Sequence, residues 1–584
     1  MDMDKPDSKR KAPRRKGDDR AILHFDLDCF YAQCIENANP SLKTLPLGIK
    51  QKSILATCNY VARKHGVKKL MGIQEAKRLC PDLILADGED LSPFRDVSKK
   101  IYSLLKSYSW NGRVERLGLD EVFLDVTDIV SYNLGLLNHH HLEQSWFCLS
   151  KGDPEKGFEF DAREVKGCIW LPDPNDPQSK DEETNDTTLR LRLLLASHLA
   201  FYLRQHIESK GYTSACGIST NKLLAKLAGD KNKPRNQTTL LSSHSPIPFL
   251  DPLPLAKIPG IGGKTFQALK TLLKADGELT VHDARTHPNV SPFALERVLA
   301  GNNGGEKGIG QKVWLLLHGI DATEVKLARD IPRQISIEDT YRGLTSLPQI
   351  KAGLAQITAS LLRRMHVDLL EECEAVTPPV SSSTSPPPPP PNSKPGGGRK
   401  WLAQPKTLRL TTRPYFPPSE WDKYEYNYSR ASKSVPLPRF IFDLSVGPES
   451  IVERLVEGTL LPLFHSLNPD PEKWRIGLLN VCVTNMSGGH EGGGGGDIMK
   501  AFERQREVGE IRAVAFADSS ADDEDVVAAE EEKHEAEESD KEAEEWIEDE
   551  EDERDRGVRC QLCGCVIPIF AVEAHGRWHE LEES

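Results

Sequence analysis

Two stretches early in the chain alternate apolar and polar residues with a period of two, and carboxylates interrupt both. Ala21-Ile22-Leu23-His24-Phe25-Asp26-Leu27-Asp28-Cys29-Phe30-Tyr31 holds two acids. Leu117-Gly118-Leu119-Asp120-Glu121-Val122-Phe123-Leu124-Asp125 puts an adjacent pair where the alternation predicts the bend of a half-buried strand pair. A third β-rich run, Ser53 to Cys58, passes into a short helix bearing Tyr60 and Arg63. Leu189 to Ser209 has the 3.6-residue period of an amphipathic helix expected to pack beneath a sheet. Further on, Gln349 to Leu369 reads as helix, and Lys406 to Arg413 and Leu478 to Asn485 as strands.

The pattern fails in four places. From about 131 to 188 the chain carries His139-His140-His141, Asp173-Pro174-Asn175-Asp176-Pro177 and Asp181-Glu182-Glu183, and is expected to be an exposed insertion. From about 377 to 400 it is Ser/Pro-rich, with Pro386 to Pro391 unbroken, and cannot continue a sheet. Residues 1–20 are a polar basic arm, and 487–556 a Gly-rich and then acidic linker, both expected to be disordered. The expected class is therefore multidomain, α/β followed by α+β.

Length and charge sharpen this. A chain of 584 residues should hold several domains. No apolar run approaches the roughly 18 residues of a membrane span, so no membrane role is expected. The net charge of −13 is concentrated: 22 acids against four bases between Asp518 and Arg556 give −18, leaving +5 for the rest. A mildly basic body with an acidic tail is compatible with nucleic acid. Lys9-Arg10-Lys11 and Arg14-Arg15-Lys16 read either as a nuclear-import signal or as a solvated arm. The 12 Cys are scattered except for Cys560, Cys563 and Cys565, which argues against a disulfide framework.

Candidate chemistry begins with the acids. A bare carboxylate on a half-buried strand must be neutralised, and three or four on two strands can hold two hard divalent cations through oxygen ligands. Either run alone reads more simply as a strand with acids at its solvated edge, and it is the sequence around the pairs that favours metal. Tyr60 and Arg63, beside the N-terminus of their helix, form a cradle for phosphates or a plain surface pair. Lys257-Ile258-Pro259-Gly260-Ile261-Gly262-Gly263-Lys264-Thr265 is either a helix-connecting turn or a hairpin whose Gly260 and Gly262 let backbone N–H groups approach a DNA phosphate, with Lys264 adding charge.

Taken in order, Asp26-Leu27-Asp28-Cys29-Phe30-Tyr31, Ala56-Thr57-Cys58-Asn59-Tyr60-Val61-Ala62-Arg63, Gly118-Leu119-Asp120-Glu121, Gly217 to Ala228 and Lys231-Asn232-Lys233-Pro234 resemble the Y-family translesion DNA polymerases. Val114 to Glu121 and Gln51-Lys52 are most similar to the iota subgroup. The resemblance implies a right-hand architecture: palm and small fingers over 21–248, a helix-hairpin-helix thumb over 249–330 and a little finger over 331–486. It implies that Asp26, Asp120 and Glu121 bind two Mg²⁺ ions, with Mn²⁺ an alternative, and that Leu27 contributes its carbonyl. Thr57, Tyr60, Arg63 and Lys233 would grip the triphosphate, and Tyr31 would lie under the sugar and exclude ribonucleotides. Primer-template DNA and deoxynucleoside triphosphates are the implied partners. The alternative is a non-catalytic scaffold at damaged DNA, which would need no intact set of acids.

At the C-terminal end, Cys560-Gln561-Leu562-Cys563, 11 residues, then His575 and His579 have the spacing of a ββα zinc finger over 557–584. The segment resembles the ubiquitin-binding finger of the eta subgroup, which implies ubiquitin or a ubiquitylated sliding clamp as partner. Arg577 stands where that finger's helix carries an acidic contact. The expected outcome is that a peptide spanning Cys560 to Ser584 folds only with Zn²⁺ and that Arg577→Asp tightens its binding to ubiquitin, read by circular dichroism and titration calorimetry. Folding without metal would remove the zinc assignment.

Overall fold

The first acid-bearing stretch forms β1 (Ile22–Leu27), buried almost end to end. The protein is described by a computed structural model over residues 20–170, 187–241, 246–275, 277–300, 307–372, 399–416, 430–488, 557–559 and 566–568. The basic arm before Arg20, nearly all of the Ser/Pro-rich and acidic tracts, and Cys560, Cys563, His575 and His579 lie outside the described residues. The chain divides into two compact units, the first ending at Ala328.

In the first unit β1 is followed by α1 (Phe30–Ala38), β2 (Leu47–Gln51), β3 (Ile54–Cys58), α2 (Tyr60–Lys64), α3 (Ile73–Leu79), β4 (Ile84–Asp87), α4 (Ser92–Lys106), β5 (Val114–Leu117) and β6 (Glu121–Asp125). Next come α5 (Thr127–Leu136), β7 (Ser145–Cys148), β8 (Gly157–Phe160), β9 (Cys168–Trp170), α6 (Thr187–Ser209), β10 (Ser214–Ser219), α7 (Lys222–Gly229) and β11 (Gln237–Leu240). The central sheet has the order β5-β6-β1-β10-β11-β9, with β1 antiparallel to both neighbours.

Period two sorts the faces of β1. Leu23, Phe25 and Leu27 enter the main core with Leu193, Leu199 and Leu203 of α6, each such side chain contributing about 1.5–3 kcal/mol on burial. Ile22 meets Phe123, Ala225 and Val325 on the other face. Alternation therefore puts His24 and Asp26 on the Ile22 side, under α7. That helix lies close because Gly217 of β10 has no side chain: a Cβ there would stand 1.8 Å from the Ala225 carbonyl oxygen and 2.4 Å from the Gly229 nitrogen.

A smaller sheet, β3-β2-β4, has its own core of Leu55, Cys58, Ala62, Val67, Ala76, Cys80 and Leu83. Its helix α2 is fixed by Asn59, whose Oδ1 accepts from the Ala62 and Leu47 N–H groups while its Nδ2 donates to Glu36 and to the Leu45 carbonyl. A capping residue with every polar atom used holds the helix start, and Tyr60 with it, in one orientation.

Of the segment expected to be an exposed insertion over about 131–188, residues 131–170 are largely exposed, His139 to His141 among them, but Phe147, Cys148, Leu149, Phe160 and Ala162 are buried. β7 and β8 form a hairpin, and β9 adds an edge strand parallel to β11. Phe147 is completely buried in the main core, stacked at 5.0 Å on Phe158, which stacks in turn at 4.5 Å on Tyr202 of α6. Buried Asn133 of α5 accepts from the Cys148 N–H and donates to its carbonyl. The polar turns of this segment mask Phe147, Phe158 and Phe160, which the register places on one face of the hairpin.

Helices α8 (Ile247–Leu250), α9 (Gly263–Leu273), α10 (Val281–Thr286), α11 (Pro292–Leu299) and α12 (Ile309–Leu317) share a core with Leu223, Leu224 and Leu227 of α7. The following segment returns to the sheet, where Asn221 donates to the Gly319 carbonyl and Arg113 to that of Val325.

The second unit contains β12 (Ile335–Leu344), α13 (Leu347–Leu369), β13 (Leu370–Glu372), β14 (Arg399–Trp401), β15 (Ala403–Pro414), β16 (Ala431–Pro436), α14 (Pro448–Leu455), α15 (Leu461–Leu467) and β17 (Ile476–Gly488). Its antiparallel sheet, β12-β17-β15-β16, buries Leu408, Leu410, Leu479, Val481 and Val483 against α13, α14 and α15. β13 pairs with β14, closing the two ends of the Ser/Pro-rich tract on each other. Separately, β18 (Gly557–Arg559) pairs with β19 (Val566–Pro568). Among the described residues no helix is long and apolar enough to cross a membrane.

Because Phe147 fills the main core, Phe147→Ala should lower stability by about 3–5 kcal/mol in urea denaturation. A loss below about 1 kcal/mol would mean that the hairpin is not part of that core.

Candidate active site

The turn between β5 and β6 is three residues long. Gly118 takes a φ of 73°, a conformation that glycine adopts without the Cβ penalty, and the turn delivers Asp120 to the end of the sheet. The Leu27 N–H donates to the Asp120 carbonyl at 2.9 Å, and Asp26 is the register partner of Glu121. Three carboxylates from residues far apart in sequence thus meet on neighbouring strands.

They line one cleft of about 880 Å³ together with Leu27, Asp28, Tyr31, Thr57, Tyr60, Arg63 and Lys233. Every residue expected at the nucleotide and metal site is therefore gathered in one place. Gly260, Gly262 and Lys264 are not there: Gly260, with a φ of 88°, and Gly262 lie in the turn before α9, and Lys264 is in the first turn of that helix.

Electrostatics in the cleft follow from burial and mutual repulsion. Burial, with Asp26 and Glu121 nearby, pushes the Asp120 carboxyl from 3.8 up to about 6. Glu121 is equally removed from water, which raises its pKa, but His24 and Lys226 outweigh that and bring it down to about 2. Lys226 Nζ lies 2.5 Å from Glu121 Oε2. His24 Nε2 is 3.5 Å from the same oxygen, too long for a strong hydrogen bond. Lys233 Nζ bridges Asp26 Oδ2 and Asp230 Oδ1, each at 2.6 Å; burial lowers its pKa, and the two acids more than restore it.

The opposite wall carries the cation and hydroxyl groups. Arg63 donates through Nε to the Cys58 carbonyl, and its guanidinium lies 4.6 Å from the centre of the Tyr60 ring. Burial and the charge of Asp28 push the Tyr60 hydroxyl up to about 12, so it is a hydrogen-bond donor at neutral pH. Tyr31 is half-buried, its ring 4.5 Å from that of Phe94.

Lys226 and His24 had no role assigned from sequence, although Lys222 and Lys226 are four apart on α7 and share a face. That spacing could have marked Lys226 as a partner for strand acids. His24 is one of the alternating β1 positions, and nothing in its neighbours distinguishes it. Among the described residues no three His, Cys, Asp or Glu side chains form a ready metal cage, and lysines contact one oxygen each of Glu121 and Asp26. The donor set is nonetheless all oxygen, and the raised Asp120 shows an acid cluster whose charge is only partly neutralised. Both features fit a hard divalent cation.

Residues 25–230 match the impB/mucB/samB family. The chain is 32% identical over 476 residues to DNA polymerase iota of Homo sapiens, covering 81% of this chain and 53% of that protein. It is 38% identical over 247 residues to DNA polymerase iota of Drosophila melanogaster, covering 42% and 30% respectively. With DNA polymerase eta of Arabidopsis thaliana the identity is 30% over 374 residues, covering 60% and 51%. The chain spans about half the length of the human and Arabidopsis relatives it matches.

A folded-state pKa of about 6 against 3.8 means that the folded chain holds the Asp120 proton more tightly than the unfolded chain does. Ionised Asp120 therefore costs stability above pH 6, and the cost vanishes as pH falls towards 3.8. In the presence of a chelator, Asp120→Asn should stabilise the protein by about 1–2 kcal/mol at pH 7.5, after discounting for partial exposure. Most of that gain should be gone at about pH 4, as read from urea melts at the two pH values. An equal effect at both would contradict the repulsive cluster.

Proposed function

We propose, from the membership of residues 25–230 in the impB/mucB/samB family, that the chain is a Y-family DNA polymerase that performs translesion synthesis. The observation that carries the reading is one cleft lined by two kinds of group, the acids Asp26, Asp120 and Glu121 and the donors Arg63, Lys233, Thr57 and Tyr60, with Lys233 joining the two sets at Asp26. Nucleotidyl transfer needs both, one beside the attacking hydroxyl and one around the triphosphate.

Asp26, Asp120, Glu121 and the Leu27 carbonyl would hold two Mg²⁺ ions, or Mn²⁺. When bound, the ions lower the pKa of the primer 3′-hydroxyl and neutralise the leaving pyrophosphate. Lys233 exchanges its contact with Asp26 for the triphosphate, and Arg63 and the Tyr60 hydroxyl donate to the phosphate oxygens as charge grows on them. The Tyr31 ring, backed by Phe94, occupies the space below the sugar, where a 2′-hydroxyl would collide with it.

In this reading 21–248 serves as palm and fingers, 249–330 as thumb and 331–486 as little finger. Gly260, Gly262 and Lys264 contact a phosphate of the primer-template without reading its sequence. The segment 557–584 acts as a zinc-bound finger through Cys560, Cys563, His575 and His579, directed at ubiquitin or a ubiquitylated sliding clamp. The basic arm directs the protein to the nucleus. The scaffold alternative gives no purpose to a buried, mutually repelling acid cluster.

Single-nucleotide insertion on undamaged and lesion-bearing templates, with Mg²⁺ and Mn²⁺ compared, tests the reading. Asp120→Ala or Glu121→Ala should abolish insertion, a loss of about 10³-fold or more, while DNA affinity stays within about three-fold. Robust extension by either would sink the assignment. Tyr31→Ala should narrow the deoxy-to-ribonucleotide ratio of kcat/KM by about 10²-fold or more. If that ratio is unchanged, the ribose is excluded elsewhere.

A further inference from the structure

Asp28 is the second carboxylate of the β1 stretch, 3% exposed, and neither the metal-holding nor the phosphate-gripping set uses it. Its Oδ2 accepts two hydrogen bonds from distant parts of the chain, from Thr213 Oγ1 at 2.8 Å and from the Arg235 backbone N–H at 2.9 Å. Among the described residues its Oδ1 has no partner. The backbone around it is tied as firmly: the Asp28 N–H donates to the Thr213 carbonyl, Gln33 Nε2 donates to the carbonyls of both Asp28 and Thr213, and the Thr213 N–H donates to Gln33 Oε1.

The bond to Arg235 bears on the cleft. Arg235 has a φ of 51°, a left-handed conformation that costs a non-glycine residue energy and needs a compensating contact. Two residues earlier, Lys233 reaches Asp26 across the cleft. Without the bond to Asp28, the turn that carries Lys233 loses a charge-assisted contact at its base, and the ion pairs of Lys233 with Asp26 and Asp230 and of Arg235 with Glu208 remain as its ties.

We propose that Asp28 is a positioning residue for the triphosphate site: it clamps the 233–235 turn to the end of β1 and so sets where Lys233 presents its charge. The inference rests on the function proposed above. Asp28 touches neither metal nor nucleotide in this role, and its requirement is for a buried acceptor of the right length. An Asn side-chain oxygen accepts the same two bonds, and its amide takes the place of the unpartnered Oδ1.

The test is steady-state insertion of a single correct nucleotide. Asp28→Ala should raise KM for the deoxynucleoside triphosphate about ten-fold with kcat within about three-fold, and Asp28→Asn should restore KM to within about two-fold of wild type. On a Lys233→Ala background, Asp28→Ala should add no more than about two-fold, because both substitutions remove the same contact. Should Asp28→Ala fail to fold, Thr213→Val, which deletes one of the two donors at Oδ2, should raise KM alone in smaller measure.

Three results would overturn the inference while wild type still inserts nucleotides. They are an unchanged KM in the foldable variant, an Asp28→Asn variant as impaired as Asp28→Ala, and effects that multiply fully with Lys233→Ala. The second would mean that the negative charge itself acts on a ligand; the third, that Asp28 works independently of Lys233. A wild-type chain that inserts nothing would instead overturn the proposed function, and this inference with it.

Discussion

Three carboxylates confined to the end of one sheet repel each other, and much of the first unit is arranged around that repulsion. Register makes it unavoidable: β1 and β6 run antiparallel with Asp26 opposite Glu121, and the turn before β6 adds Asp120. Removed from water, these groups interact through a medium less polar than bulk solvent, where each charge is felt more strongly by its neighbours. The raised pKa of Asp120 and the lowered one of Glu121 are two results of one imbalance. Glu121 has Lys226 and His24 beside it, whereas Asp120 has mainly other acids.

Neutralisation by lysine places demands on the surrounding fold. Lys226 reaches Glu121 only because α7 lies against β10, and that approach depends on the missing side chain at Gly217. Lys233 reaches Asp26 from a turn whose base is held at Arg235. On the opposite wall, Asn59 fixes the start of α2 and thereby Tyr60 and Arg63. In each case a cation or donor is placed by a short element, and that element is held by close packing or by a buried polar side chain whose bonds span the fold. Such ties narrow the choice of geometry more than apolar packing does, because a half-satisfied buried polar group is costly.

The rest of the unit supports the sheet that carries these groups. The aromatic stack of Phe147, Phe158 and Tyr202 extends the core under the sheet, and β9 covers the edge of β11. The new edge strand is only three residues long, which limits further pairing along it.

What the residues alone determined was local. Period two assigned the β1 and β6 stretches to strands with an acid pair at a bend, and the acids, Tyr60 and Arg63 stood out as candidate chemistry, whereas Tyr31, Thr57 and Lys233 joined them only through the family resemblance. The helix over 189–209 was equally legible, because its apolar period extends over several turns. Only the tertiary structure decided which strands pair and in what register, since alternation reports the face of a strand and never its partner. It alone revealed Lys226 and His24 beside Glu121, and joined Asp28 to Thr213 and Arg235 across separations of 185 and 207 residues. It also showed that residues 131–170, though largely exposed, send Phe147 into the core, because their polar composition records the turns, while the burial of Phe147 depends on Phe158 and its stacking partner Tyr202 of α6. Short-range pattern is written in neighbouring residues, and long-range pairing is settled only when the chain closes on itself.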